Sequence, residues 1–231
     1  MSTATTRVID VISRAKNILH EVTRDGTRWT NSELMVWLNE SYQAIVQVDP
    51  SACSKTEWVD LKPGTRQRIP LGGTRLLEVV RNVAPASRAE GVLIASRKQL
   101  DTTRRGWHRE ERTIDIEQYV FDPMNPVEYY VYPPAAEGAK LEIIFSYVPS
   151  QHSIEGMSAY GECIRIPDSY APVMVDYILY RAYSKDADHA VNLNRATMHQ
   201  GSFFNALGTK IQAENSTSPN QGLPQDQPRA R

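Results

Sequence analysis

Apolar residues spaced three and four apart predict two helices near the start of the chain. The first pattern covers residues 7–24 and places a single apolar stripe along one helix face. The second covers residues 31–48, where Thr30 and Glu33 have the spacing of a capping box. Because only a short loop joins the two segments, we expect the helices to pack antiparallel.

The middle of the chain changes to the alternating pattern that is typical of strands. Residues 56–61 and 66–71 flank the turn 62–65, so we expect them to pair as a β-hairpin. A short helix is predicted over 95–104. The segment 76–83 is predicted as a strand, although a helix stays possible. Three later strands are predicted over 119–122, 127–132 and 141–148, and turn-rich segments at 123–126 and 133–138 separate them.

Helical periodicity returns after Pro167 and predicts helices over 168–184 and 187–214. Either Asp168 or Ser169 is expected to cap the first of them. The apolar spacing predicts the inner face of the second helix as Ala190, Leu193, Ala196, Thr197, Phe203, Phe204, Leu207 and Ile211.

This order of elements predicts an α+β fold. Helical hairpins at both ends of the chain have apolar faces that need cover, so we expect them to close one helical bundle with an antiparallel β unit inserted between them. The expected division is a bundle from 1–50 and 165–214, a β-rich domain over 51–164, and an extended C-terminal arm over 215–231. The arm has three proline and three glutamine residues and only two apolar ones, a composition that favours disorder in a free chain.

Composition excludes several classes of protein. The 26 basic and 27 acidic residues give a formal net charge of −1, so no charge excess points to nucleic acid or to an anionic membrane. The apolar runs are too short to cross a membrane, and the N-terminus lacks the apolar core of a secretory signal. Cys53 and Cys163 lie 110 positions apart, which is neither a disulfide framework nor a metal quartet.

Candidate chemistry is sparse, and we expect no cofactor and no metal. The spacing of Asp186, Asp188 and His189 could hold a metal ion, but acidic residues at a helix start more often cap backbone N–H groups. The stretch Arg97 to Arg112 combines six basic residues with Trp107, so nucleic-acid binding is an alternative to a solvated face or a subunit contact. A third possibility is an enzyme, such as a hydrolase, whose site has no recognisable motif.

The order of four sequence stretches resembles the head-to-tail adaptor proteins of tailed bacteriophages, including the tail tubular protein A type of short-tailed phages. The first stretch is 29–40 with 48–52, the second is 119–134, the third is 141–149, and the fourth is 166–170 with 176–188. The resemblance spans about residues 7–210. The resemblance implies a non-enzymatic virion protein that assembles in the host cytoplasm. It also implies a ring of twelve copies beneath the portal protein, which extends the DNA channel and carries the tail.

The resemblance further implies how the ring meets its partners. The helical part would face the portal and the β part the tail nozzle or tube protein, while DNA passes through the lumen without sequence-specific binding. A near-neutral chain fits this role, because a strongly basic wall would hold the phosphates. The C-terminal arm would dock on the portal, with Leu223 as the anchor, and its candidate docking residues are Pro219, Leu223, Pro224, Pro228, Arg229 and Arg231.

Overall fold

The computed structural model shows a mixed α+β protein that divides into two compact units. One unit is drawn from residues 1–49 and 150–231, and the other is formed by residues 50–149. The residues that the structure describes are 4–21, 23, 26–155, 161–186 and 190–217.

The first unit is helical. Its helix α4 (Ala171–Lys185) packs against each of the other three helices, and its apolar residues Met174, Ile178 and Ala182 are fully buried. These three residues recur at intervals of four, which gives α4 a buried stripe at the centre of the unit. The helices of this unit are α1 (Val8–Ile18), α2 (Asn31–Val48), α4 (Ala171–Lys185) and α5 (Ala190–Thr217), while α3 lies in the other unit.

The second predicted helix is confirmed at both ends. Helix α2 starts after Thr30, whose side chain accepts the Glu33 N–H at 3.3 Å, as an N-cap should. The carboxylate of Glu33 does not close the reciprocal half of the capping box in the described contacts. It binds the Lys185 ammonium at 2.6 Å instead, and so joins the start of α2 to the end of α4.

Helix α1 is shorter than the predicted segment 7–24. It ends at Ile18, and His20 has a positive φ of 56°, which turns the chain out of the helix. The Glu21 carboxylate then accepts the backbone N–H of Arg28 at 3.0 Å. This hydrogen bond is the main reason that the pKa of Glu21 is lowered to about 2. Helix α1 therefore ends six residues before the end of the predicted segment.

Asp168 does not cap its own helix. Its carboxylate accepts the backbone N–H groups of Thr5 and Thr6 at 2.9–3.0 Å and the Thr5 hydroxyl at 2.8 Å. These hydrogen bonds hold the pKa of Asp168 well below its usual range. The predicted helix cap is therefore wrong. The Asp168 side chain fixes the N-terminal segment instead, and α4 begins at Ala171 without a side-chain cap.

The inner face of α5 is narrower than the sequence predicts. Ala196, Phe203 and Leu207 are buried, whereas Leu193 and Phe204 are exposed although they belong to the predicted inner face. Thr197 is also exposed, Ile211 is half-buried, and the side chain of Ala190 lies outside the described part of the structure.

The second unit contains two sheets and the short helix α3 (Arg97–Thr103), which falls within the helix predicted over 95–104. One sheet has the order β1-β7-β3 and is antiparallel. The other has the order β2-β6-β5-β4, in which β4 runs parallel to β5. The strands are β1 (Ser54–Asp60), β2 (Gly64–Arg68), β3 (Gly73–Asn82), β4 (Leu93–Ile94), β5 (Gln118–Phe121), β6 (Glu128–Ala135) and β7 (Lys140–Tyr147).

The predicted hairpin between residues 56–61 and 66–71 is wrong. Strand β1 pairs with β7 and strand β2 pairs with β6, so the two segments lie in different sheets. The Gln67 side chain closes the intervening turn, because its amide donates to the Lys62 carbonyl at 2.7 Å and its carbonyl accepts the Lys62 N–H at 2.9 Å. The turn is therefore satisfied without ladder pairing between its flanks.

The turn predicted over 133–138 begins too early. Pro133 and Pro134 belong to β6, where they supply carbonyl acceptors but no N–H donors. The Pro134 carbonyl accepts the Thr113 N–H at 2.9 Å, and the chain turns only after Ala135. Residues from both sheets, among them Tyr129 and Phe145, then share one buried core.

Candidate functional site

The basic stretch Arg97 to Arg112 folds around a fully buried tryptophan. The Trp107 indole N–H donates to the Asp101 carboxylate at 2.9 Å, and its ring stacks on His108 with the centroids 3.7 Å apart. His108 in turn contacts the Thr65 hydroxyl at 2.8 Å. The aromatic residue that could have stacked on a nucleic-acid base therefore belongs to the core of the β unit.

Two arginines of this stretch pack on tyrosines of β6. The guanidinium of Arg97 lies 5.7 Å from the Tyr130 ring centroid, and that of Arg104 lies 5.2 Å from the Tyr132 ring centroid. Arg104 also contacts the Tyr132 hydroxyl, which donates to Glu110 at 2.9 Å. These arginines hold the stretch on its sheet. All six basic residues of the stretch are exposed, and the four besides Arg97 and Arg104 are Lys98, Arg105, Arg109 and Arg112.

A tyrosine, a histidine and a glutamate form a hydrogen-bonded chain inside the helical unit. The His152 Nδ1 lies 2.6 Å from the Glu162 carboxylate, and its Nε2 lies 2.9 Å from the Tyr42 hydroxyl. The same hydroxyl accepts the Arg165 N–H at 3.0 Å. With Glu162 ionised, a proton on Nδ1 satisfies every contact, because Nε2 then accepts from Tyr42.

These buried contacts join helix α2 to the segment that contains His152. Burial lowers the pKa of His152 despite the opposing effect of Glu162, and the hydrogen bond from His152 lowers the pKa of Glu162. The Tyr42 side chain is 1 % exposed and His152 is 5 % exposed, so no dissolved substrate reaches the hydroxyl. The contacts fix the segment that follows residue 150 on helix α2. No local sequence signal indicates this network, because Tyr42 lies 110 positions from His152.

The candidate metal ligands are only partly described. Asp186 forms an ion pair with Arg28 and accepts the Asn192 side-chain amide at 2.9 Å. Asp188 and His189 lie outside the described residues. Within the described ranges, no three His, Cys, Asp or Glu side chains gather as they would to hold a metal ion. The six proposed docking residues of the arm also lie outside the described residues, and they are Pro219, Leu223, Pro224, Pro228, Arg229 and Arg231.

An open apolar groove crosses the helical unit between α2, α4 and α5. It encloses about 380 Å³, with Tyr177 and Arg181 of α4 on its floor. Val48 of α2 and Phe204 of α5 stand on its two walls and are both exposed. An apolar groove of this kind is typical of a surface that receives another protein segment.

The β unit exposes one tryptophan on the outer face of the β1-β7-β3 sheet. Trp58 is 68 % exposed, yet its side chain hydrogen bonds to Glu142, which also forms an ion pair with Arg81 at 2.6 Å. Trp58, Glu142 and Arg81 thus form one row across the three strands. A large aromatic ring at the surface is typical of the centre of a protein interface.

Each of the two compact units exposes apolar side chains, whereas Tyr42 and His152 are buried. Exposed apolar surface is typical of a subunit that assembles with other proteins. Among the described residues, no helix has both the length and the apolar content to span a membrane.

The sequence matches the family of the SU10 adaptor protein over residues 6–223. The chain therefore belongs to this adaptor family, and it is a bacteriophage structural protein. Family membership implies a place in the virion neck, in contact with portal and tail proteins and with other copies of the chain. It points to a structural role rather than to catalysis. No curated protein gives a significant match to the sequence.

Proposed function

We propose that this protein is a head-to-tail adaptor of the tail tubular protein A type. Twelve copies would form a ring beneath the portal, extend the DNA channel and provide the platform on which the tail attaches. The observation that carries this proposal is the family match, which covers residues 6–223 and so includes both compact units. The exposed apolar groove of the helical unit supports it, since a subunit of a ring needs such surfaces.

In this proposal the helical unit faces the portal and the β unit faces the tail nozzle or tube protein. Each unit has its own buried residues, so each can present a separate surface to a separate partner. The outward Trp58 gives the β unit a natural anchor for the tail side. DNA would pass through the lumen without specific binding, and a net charge of −1 fits this role because a strongly basic wall would hold the phosphates.

The C-terminal arm is the proposed portal-docking element. Helix α5 continues through Thr217, so residues 215–217 of the predicted arm are helical and the arm starts at residue 218. Pro219, Pro224 and Pro228 favour an extended chain and reduce the entropy lost on docking. Leu223 would be the apolar anchor, and Arg229 and Arg231 would pair with acidic portal groups. Many copies in one ring compensate for weak binding by each arm.

Removal of the arm tests this function. A chain truncated after Thr217 should remain folded but fail to join portal-bearing heads, which should then lose their DNA. Leu223→Asp should give the same defect, and Ser218→Asp is the matched control that should attach normally. If the truncated protein still attaches and the heads retain their DNA, the arm is not the portal-docking element. Full-length chain that never binds portal-bearing heads would exclude the adaptor function itself.

Nucleic-acid binding through Arg97 to Arg112 is the weaker alternative. Its aromatic residue is buried, and Arg97 and Arg104 are engaged with the tyrosines of β6. The six basic residues of the stretch are all exposed, but they are interspersed with Asp101, Glu110 and Glu111, which dilute the charge. Steep dependence of DNA affinity on salt concentration would revive this alternative.

A further inference from the structure

Strand β1 forms an open edge of the three-stranded sheet. Among the strands that the structure describes, its one hydrogen-bonded neighbour is β7, and the two pair in unbroken register from Ser54 to Asp60. The Leu61 N–H donates to the Ala139 carbonyl at 2.9 Å in the same register, so every second residue before Leu61 bonds to β7. The other residues direct their backbone N–H and C=O groups to the open edge, and they are Ser54, Thr56, Trp58 and Asp60.

The opposite edge of the same sheet is irregular and partly covered. Strand β3 shifts its register with β7 at three places. Along its outer edge the Asn82 N–H donates to the Glu90 carbonyl at 3.0 Å, and the Val80 carbonyl accepts the Val92 N–H at 3.2 Å. Bulges and cover protect a sheet edge, whereas a regular edge is a template for another strand. Strand β1 has neither a register shift nor a proline or glycine residue, so it keeps this capacity.

Two opposite charges lie on the core-side face of β1. Lys55 and Glu57 stand opposite the buried residues Phe145 and Ile143, and their side chains form an ion pair at 2.6 Å while they remain 40 % and 39 % exposed. Charges of a single sign on an edge repel a second copy of the same edge. Charges of opposite sign two positions apart have the reverse effect, because an antiparallel copy can bring each of them next to its opposite.

One antiparallel register of two β1 strands satisfies both the backbone and the charges. It places Thr56 opposite the second copy's Thr56 and Ser54 opposite the second copy's Trp58, so about six hydrogen bonds join the backbone groups of the two open edges. Lys55 then lies opposite the second copy's Glu57, and the two-fold symmetry forms this pair twice. A shift of two residues in either direction instead places Glu57 opposite Glu57 or Lys55 opposite Lys55. The charges therefore select a single register.

We propose that β1 of the free chain pairs with β1 of a second copy in this register, which joins the two three-stranded sheets into one sheet of six strands. The choice of a second copy rests on the charges of the strand, which match their own antiparallel image. The contact is isologous and closes after two copies, so it differs from the repeating contact that a ring needs. It also brings each exposed Trp58 ring beside the second copy's Ser54, so the pair separates before Trp58 meets a tail protein.

Removal of one backbone donor tests the pairing. Thr56→Pro eliminates an N–H that faces the open edge and leaves the donors that bond to β7 in place. Thr56→Ala is the matched control, because it changes the same side chain and keeps the N–H. Sedimentation velocity across a concentration series should show a monomer–dimer equilibrium for the unmodified chain and for the control. The proline variant should associate at least about tenfold more weakly, since both central hydrogen bonds are lost.

A charge exchange tests the register with a sample that a folding defect cannot imitate. Lys55→Glu and Glu57→Lys each place like charges opposite one another, so each variant alone should associate at least about tenfold more weakly. An equimolar mixture of the two should form a heterodimer, because every charge again faces its opposite. Single variants that dimerise like the unmodified chain, or a mixture that stays monomeric, would overturn the proposal.

A cross-link provides an independent measure of the register. The two Thr56 Cα atoms lie about 5.5 Å apart in the proposed pair, which suits a disulfide, so Thr56→Cys should give covalent dimers under mild oxidation. Asp60→Cys is the control, because its two copies lie about 27 Å apart along the strands. Equal cross-linking of the two variants would overturn the register. An unmodified chain that stays monomeric at its highest attainable concentration would overturn the pairing itself, even if that chain attaches to portal-bearing heads and so supports the adaptor function.

Discussion

Replacement of His152 by leucine should weaken the helical unit without changing its architecture. The imidazole is buried, and it contacts the Glu162 carboxylate at 2.6 Å and the Tyr42 hydroxyl at 2.9 Å. Leucine has a comparable volume but offers no donor or acceptor. His152→Leu therefore deletes both hydrogen bonds and leaves the Tyr42 proton without its partner.

The expected loss follows from the two contacts. A hydrogen bond to a charged group contributes about 1.5–3 kcal/mol and a neutral one about 0.5–1.5 kcal/mol, so the two together are worth about 2–4.5 kcal/mol. Burial of the leucine side chain offsets part of this loss. Hydration of the partly exposed Glu162 carboxylate offsets a further part. A net destabilisation of about 2 kcal/mol is expected at neutral pH.

The same histidine should make the unit sensitive to acid. Burial holds the pKa of His152 below its usual 6.5, so the folded state binds fewer protons than the unfolded state as the pH falls below that value. Stability is therefore present above pH 6.5 and declines as the pH falls toward the folded pKa. The lowered pKa of Glu162 adds a further loss below its usual 4.5.

Urea unfolding monitored by circular dichroism, at neutral pH and near pH 5, measures both effects. The His152→Leu variant should have a lower midpoint at neutral pH and should lose less stability on acidification than the unmodified chain. Tyr42→Phe, which keeps the histidine, should retain the acid sensitivity. A leucine variant with an unchanged midpoint, or with the full acid sensitivity of the unmodified chain, would refute this account of the network.

Three further changes probe other parts of the fold. Leu38→Asp buries a charge on α2 against α4, so hydrogen exchange should show the C-terminal helices unfolding as well; protection there would refute a shared helical core. Asp168→Asn should speed amide exchange at residues 5–6 with little change in global stability, and unchanged exchange would count against the tether. Trp107→Ala should destabilise the β unit by about 3–5 kcal/mol, whereas Trp58→Ala at the surface should have little effect; equal losses would contradict the assigned burial.

Local signals in the sequence were sufficient for many elements of the fold. Helix α2 begins and ends where its periodicity and its Thr30 cap predict, because both signals act within a few residues. The residues of β3 and β7 were also predicted as strands from their alternation and β-branched content. An element that depends on its own neighbours in the chain can be predicted from one sequence.

Local signals did not predict which strands pair or which apolar helix faces are buried. Alternation shows that β1 is a strand, but its paired residues in β7 lie 80 to 92 positions further along the chain, and the nearby turn suggested the wrong partner. Periodicity likewise places Leu193 and Phe204 on an apolar side of α5, but it does not say whether the same chain covers them. The Tyr42–His152 contact joins residues 110 positions apart and has no local signal.

The adaptor function can be tested directly by electron microscopy of portal-bearing heads incubated with the purified chain. The account predicts a ring of twelve copies in contact with the portal, with the helical unit on the portal side and the β unit on the tail side. Heads that bind no protein, or copies that attach outside the portal opening without forming a ring, would contradict it.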